Sequence, residues 1–103
     1  MDDELTLRTS RDGSTATVAA AGEIDLSTVD DLRAAVTAAA SDGTEKLLLD
    51  LTAVEFIDSA GLGGLLELRS TLRANNVTLE IDAGDGPVRQ AMEITGLSDL
   101  LAG

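Results

Sequence analysis

The sequence contains no cysteine and no histidine, and it has one proline and one aromatic residue, Phe56. Without cysteine the chain can form neither a disulfide nor a thiolate nucleophile. Without histidine it lacks the commonest general base near neutral pH and the commonest metal ligand. No apolar run approaches the roughly 20 residues that span a bilayer, and residues 2–4 are acidic where a secretory signal would be apolar. We therefore expect a cytoplasmic protein that binds no cofactor, no metal and no membrane.

Positive charge is also scarce. Seven Lys and Arg residues face 19 Asp and Glu residues, which gives a net charge of −12. Repulsion of this size argues against binding to the phosphate backbone of a nucleic acid or to an anionic membrane. A protein partner with a basic or neutral docking surface fits this charge better.

With 103 residues, the chain is predicted to be a single domain over residues 1–103. The apolar pattern predicts the order β-β-α-β-α-β-α with a short C-terminal helix. The two hairpin strands meet at Asp12-Gly13, a pair that favours a tight turn. Ser27 is predicted to cap the first helix. This order indicates an α/β fold, in which a four-stranded mixed sheet carries three to four helices mainly on one face.

The centre of the chain is a nearly continuous apolar strand, 46–51, followed by a helix that runs to about Asn75. The apolar run is typical of a parallel strand that is covered on both faces. Ser59 is the predicted N-cap of the helix, and Asp58 before it adds negative charge at the positive end of the helix dipole. By this pattern alone Ser59 is either a plain cap or an exposed functional hydroxyl.

The glycines that follow Ser59 do not match a nucleotide-binding loop. Leu66 stands where G-x-G-x-x-G needs its third glycine, and no Lys-Ser or Lys-Thr pair completes a P-loop. No spacing of carboxylates singles out an acid/base pair, so an enzyme is not expected. Gly63, opposite the predicted buried side of the helix, leaves a flat spot between Leu62 and Leu66. It is either a partner contact or a tolerated glycine.

Three segments together resemble STAS domains of the anti-sigma factor antagonist type. Residues 58–63 read Asp-Ser-Ala-Gly-Leu-Gly, residues 22–25 read Gly-Glu-Ile-Asp, and residues 95–97 read Thr-Gly-Leu. The resemblance covers nearly the whole chain. It implies that the unphosphorylated protein binds an anti-sigma factor and so releases a sigma factor. It also implies that this anti-sigma factor is a serine kinase that phosphorylates Ser59 with its own ATP and metal, and that a serine phosphatase reverses the modification.

The resemblance further implies a docking surface around Ser59, made by the first turns of its helix and by the acidic loop beside it. Its expected residues are Glu23, Asp25, Ser27, Asp58, Gly61, Leu62, Gly63 and Leu66. Other possibilities stay open: a STAS subunit of a lipid transporter or of a stress-sensing assembly, and a binder of small molecules or nucleotides at the carboxyl end of the sheet. The chain is expected to be a monomer or a weak dimer.

Overall fold

The computed structural model describes residues 5–41 and 43–101. The predicted order of elements is confirmed, whereas the predicted domain bounds and the acidic residues 2–4 reach beyond the described residues. The elements are β1 (Leu5–Asp12), β2 (Thr15–Ile24), α1 (Val29–Ala39), β3 (Lys46–Ile57), α2 (Ser59–Ala74), β4 (Thr78–Asp82), α3 (Pro87–Ile94) and a 3₁₀ helix (Ser98–Leu100).

The four strands form one mixed sheet in the order β1-β2-β3-β4. β1 is antiparallel to β2, and the turn between them places Gly13 at φ +64°, a conformation that glycine adopts without strain. The pairs β2–β3 and β3–β4 are parallel. β3 continues to Ile57, six residues beyond the predicted end at Leu51, because two shifts of register keep it paired with β2 as far as Ile24.

One face of the sheet is covered and the other is open. In β3, Leu47, Leu49 and Leu51 are fully buried, whereas Leu48 and Asp50 between them are only half-buried. The expectation that this strand is covered on both faces is therefore wrong, because the helices pack against one face. Residues in register on the covered face are also buried, and they are Ala16, Val18, Leu79 and Ile81.

The core lies between this covered face and the apolar sides of the helices. α1 contributes Val29, Leu32 and Val36. α3 begins at Pro87, since proline needs no hydrogen-bond acceptor at the first helical position. No helix in the described ranges is both long enough and apolar enough to cross a membrane.

Candidate functional site

The parallel pairing of β2 and β3 brings two chain corners to the same edge of the sheet. Ile24, the last residue of β2, is in register with Ile57, the last residue of β3. The backbone amide of Asp58 then donates to the carbonyl oxygen of Ile24 at 3.2 Å. The turn that leaves β2 and the N-terminus of α2 therefore lie side by side, as the sequence analysis expected for the acidic loop and the serine.

Asp58, and not Ser59, is the N-cap of α2, so the predicted cap was wrong by one residue. The backbone of Asp58 is extended, and its carboxylate accepts a hydrogen bond from the amide of Gly61 at 2.9 Å. Aspartate and serine are nearly equivalent caps, and the end of β3 places Asp58 in the extended conformation that a cap needs. Ser59 is consequently the first helical residue.

The Ser59 side chain is exposed, and its hydroxyl has no hydrogen-bond partner among the residues that the structure describes. It stands at the positive end of the helix dipole, where backbone amides lack acceptors within the helix. Because Asp58 already supplies the cap, a change at the Ser59 oxygen leaves the capping hydrogen bond in place. This geometry suits a hydroxyl that gains a negative group.

The turn between β2 and α1 is closed by a hydrogen-bond network around Asp25. Its carboxylate accepts from the amide and the hydroxyl of Ser27 at 3.0 and 2.8 Å, and its carbonyl oxygen accepts from the amides of Thr28 and Val29 at 3.1 and 2.8 Å. The hydroxyl of Ser27, with further hydrogen bonds from the Ser27 amide and from Thr28, lowers the pKa of Asp25 despite some desolvation. This closed segment, residues 25–28, is called the Asp25 turn below.

Ser27 was expected to cap α1, and this expectation was wrong. Thr28 occupies the N-cap position, is buried, and makes no side-chain cap of the helix. Its hydroxyl instead donates to the carbonyl oxygen of Glu23 at 2.9 Å and accepts from the amide of Asp25 at 2.9 Å. The polar side chains hold the turn together and leave α1 to start one residue later.

The three glycines of α2 have different surroundings. A Cβ at Gly61 would lie 2.7 Å from Cγ1 of Ile57 and 2.9 Å from the carbonyl oxygen of Ile24. A Cβ at Gly64 would lie 2.4 Å from Cγ2 of Val29. A Cβ at Gly63 would meet nothing within 4 Å. Gly61 and Gly64 therefore allow α2 to lie close to its neighbours, whereas Gly63 faces outward.

These positions separate the expected docking residues into two groups. Gly61 is buried, so its small size is explained by internal packing and it offers no side of its own to a partner. The residues that reach the surface are Glu23, Asp25, Ser27, Asp58, Leu62, Gly63 and Leu66, of which the two leucines leave part of their apolar surface uncovered.

Two features of this surface were missed by the sequence analysis. Leu26, inside the Asp25 turn, exposes 78% of its surface, and Phe56, in register with Glu23, exposes 49%. A leucine between two turn-forming polar residues was the available signal, since such a residue has no buried stripe to join. Gly64 was also missed, because its contact with Val29 depends on how the two helices pack.

The charge of this region is negative. Glu23, Asp30 and Asp31 are exposed on or beside the Asp25 turn, and Arg33 of α1 is engaged by Asp30 and Glu67. Between Leu47 and Leu68 the sequence has no basic residue. Within residues 5–41 and 43–101 no group of three or more carboxylates is arranged to hold a metal ion.

Comparison with known proteins identifies relatives of this chain. Residues 7–102 match the family described as "Mlab, STAS domain". The anti-sigma-B factor antagonist of Staphylococcus aureus (strain NCTC 8325 / PS 47) is 35% identical over 80 residues, which are 78% of this chain and 74% of that protein.

Solved structures agree with this match. An anti-sigma factor antagonist from Mycobacterium paratuberculosis superposes with a TM-score of 0.83 at 29% identity, over 94% of this chain and 82% of that chain. The anti-sigma factor antagonist SpoIIAA in its unphosphorylated form gives a TM-score of 0.79 at 20% identity, over 94% of this chain and 86% of that chain. The phosphorylated form of the Bacillus cell fate determinant SpoIIAA gives a TM-score of 0.73 at 20% identity, over 94% of this chain and 89% of that chain. At this lower identity the likeness shows the fold.

Proposed function

The chain belongs to the STAS domain family, in its group of anti-sigma factor antagonists, and from this membership we propose that it is a binding module switched by phosphorylation of Ser59. In the unphosphorylated state it binds an anti-sigma factor and thereby frees a sigma factor. The relatives from Staphylococcus aureus and Mycobacterium paratuberculosis carry names that describe antagonism of an anti-sigma factor. The partner is proposed to be a serine kinase, and a serine phosphatase is proposed to reset the switch.

The observation that carries this proposal is the exposed Ser59 side chain in the first position of α2, a helix that is already capped by Asp58. A kinase can reach the oxygen without unfolding the domain. The ATP and the metal belong to the kinase, so this chain needs neither a base nor a cofactor at Ser59.

Within the domain, the phosphate adds roughly −1.5 to −2 charge at neutral pH. At a helix N-terminus a negative group gains about 0.3–1 kcal/mol, and the nearby Asp58 carboxylate opposes this gain with a repulsion that solvent screens. The two effects are small and opposite, so the fold is retained. SpoIIAA supports this view, since both its unphosphorylated and its phosphorylated forms share the fold of this chain.

Across an interface the balance is different. A dianion that is desolvated against apolar or acidic groups costs several kcal/mol. At about 1.4 kcal/mol for each tenfold change in affinity, this removes two or more orders of magnitude. Phosphorylation of Ser59 therefore acts on the complex and leaves the fold unchanged.

The proposed docking surface combines the exposed part of α2 with the Asp25 turn. Leu62, Gly63 and Leu66 supply an apolar strip on α2, and the turn supplies the Asp25 carboxylate. Ser59 begins α2 on the same face as this strip, so a partner that extends to the start of the helix covers its hydroxyl. Glu23, Asp25, Ser27 and Asp58 complete this proposed surface.

The test is incubation of the chain with ATP and an anti-sigma factor kinase of the same organism, followed by mass-spectrometric mapping of the phosphate. We expect the phosphate on Ser59. Ser59→Ala should bind the anti-sigma factor persistently in the presence of ATP, and Ser59→Asp should bind at least a hundredfold more weakly. Ser70→Asp, on an exposed position of the same helix, is the matched control and should bind like the parent.

Two outcomes would overturn the proposal. One is equal affinity of the parent, Ser59→Ala and Ser59→Asp for the anti-sigma factor. The other is recovery of a transporter ATPase, and no kinase, when the tagged chain is used to isolate partners, because that result would support a transporter subunit.

A further inference from the structure

Leu26 is an exposed apolar side chain held on a rigid support. Four large apolar side chains in the described ranges are well exposed: Leu26 (78%), Phe56 (49%), Leu66 (39%) and Ile94 (83%). A single exposed leucine is common on protein surfaces and needs no explanation. Leu26 differs from Ile94, at the end of α3, because it lies in the turn that follows Ile24, whose carbonyl oxygen accepts a hydrogen bond from the amide of Asp58 at the start of α2.

The hydrogen bonds of the Asp25 turn limit the motion of Leu26. Asp25 before it accepts two hydrogen bonds from Ser27 after it, and buried Thr28 joins Asp25 to the carbonyl oxygen of Glu23. Hydrogen bonds of the residues before and after Leu26 thus restrict the conformation of its main chain. Ordering a mobile side chain or loop on binding is unfavourable and weakens the affinity. An apolar side chain on a turn that is already ordered therefore binds with a smaller entropic penalty.

Contacts with α2 at both ends of this turn hold it against the start of that helix. The position of Gly61 is in contact with Ile24, just before the turn, and the position of Gly64 is in contact with Val29, just after it. The turn is therefore bracketed against the first two turns of α2. The outward side of Gly63 has no neighbour within 4 Å, so the turn does not cover it.

The surface around Leu26 is acidic. Glu23, Asp30 and Asp31 are exposed around the turn, and between Asp12 and Glu45 the only basic residue is Arg33, which is already engaged by two carboxylates. An apolar cavity with basic side chains at its mouth is the complement of such a surface.

We propose that Leu26 is a specificity-determining contact with the anti-sigma factor, and that it enters an apolar cavity of that protein whose rim carries lysine or arginine. This inference rests on the proposed function. In this proposal the Asp25 turn holds Leu26 near the phosphorylation site, so that a partner bound to Leu26 also covers Ser59. Thr28 is a positioning residue, because it acts only through the turn.

The first test compares Leu26→Ala with Ile94→Ala, the matched loss of an exposed aliphatic side chain. We expect Leu26→Ala to weaken binding of the unphosphorylated chain to the anti-sigma factor by about tenfold or more, since a leucine in an apolar cavity contributes that much relative to alanine. Ile94→Ala should bind like the parent. Both variants should keep the thermal unfolding midpoint of the parent, because neither side chain is buried.

The second test asks whether Thr28 acts through Leu26. Thr28→Val removes the hydroxyl and keeps the shape, and Thr28→Ser restores the hydroxyl. We expect Thr28→Val to weaken binding in the parent but to have much less effect in the Leu26→Ala background, and Thr28→Ser to recover the affinity. A general loss of stability would lower affinity equally in both backgrounds.

The outcomes separate this inference from the proposed function. If Ser59→Asp abolishes binding while Leu26→Ala binds like the parent, the role of Leu26 is refuted and the switch stands. If Leu26→Ala weakens binding while Ser59→Asp does not, the role of Leu26 stands and the switch is refuted. Equal losses for Leu26→Ala and Ile94→Ala would also refute a specific role for Leu26.

Discussion

Alanine substitution at the three glycines of α2 tests whether their surroundings have been read correctly. Replacing glycine by alanine inside a helix gains about 1 kcal/mol from backbone entropy and helix propensity. At Gly63 nothing opposes this gain, because a Cβ there meets no atom within 4 Å. We expect Gly63→Ala to raise the free energy of unfolding by about 1 kcal/mol, and the thermal midpoint by roughly 4–8 °C.

At Gly64 the same gain is opposed by an overlap. The new Cβ would lie 2.4 Å from Cγ2 of Val29, a buried β-branched residue with little rotamer freedom. Overpacking of a core typically costs about 1–3 kcal/mol. The net result is a loss of up to about 2 kcal/mol, because α1 and α2 must separate or Val29 must shift.

At Gly61 the overlap includes backbone. A Cβ would lie 2.9 Å from the carbonyl oxygen of Ile24, which also accepts the amide of Asp58 at 3.2 Å. A carbonyl within a paired strand moves less readily than a side-chain tip, so we expect Gly61→Ala to be destabilising and at least as costly as Gly64→Ala.

The assay is equilibrium unfolding in urea, with the slope of the transition compared between variants to confirm that the extent of unfolding is unchanged. If Gly61→Ala and Gly64→Ala stabilise the domain as much as Gly63→Ala, the argument from close approach is refuted. The anti-sigma factor provides the second measurement. Gly63→Ala is expected to be more stable than the parent and yet to bind more weakly, and unchanged affinity would remove Gly63 from the proposed docking surface.

Two further predictions concern the ends of the site. Asp58→Ala should lower the free energy of unfolding in urea by about 1 kcal/mol through loss of the cap, whereas Ser59→Ala should change it by less than about 0.5 kcal/mol; the reverse order would restore Ser59 as the cap. The folded state lowers the pKa of Asp25, so its carboxylate stabilises the domain above the unfolded value of about 3.9, and this contribution is lost as the pH falls through the lower folded value. The difference in unfolding free energy between the parent and Asp25→Asn should therefore be constant from about pH 5 to 7 and shrink below about pH 4. A difference that persists unchanged in acid would show that the hydrogen bonds to Asp25 do not depend on its charge.

Strong periodicity specifies the interiors of the strands and helices in this sequence, whereas their ends are specified less well. The order of the strands and helices was predicted correctly, because it follows from local periodicity. The predicted end of β3 is six residues too early, since β3 reaches Ile57 only through irregular pairing with β2. The cap was placed on Ser59 because two adjacent residues are equally good caps in sequence.

The candidate site shows the same division. Proximity of the Asp25 turn to Ser59 was expected from the family resemblance alone, and the parallel pairing of β2 and β3 produces it. The different roles of Gly61, Gly63 and Gly64 could not be predicted, since each depends on which atom of another element lies opposite. Leu26 was overlooked for a related reason: its significance comes from hydrogen bonds around it and from the position of α2.

What the sequence by itself determined was the list and order of elements, the aliphatic core, the acidic character and the family resemblance, because these depend on composition and on periods of two and 3.6 residues. What only the tertiary structure decided was which residues are sealed and which are offered to a partner. Burial is a property of surfaces that meet from distant parts of the chain, and a linear pattern does not contain the distances between them.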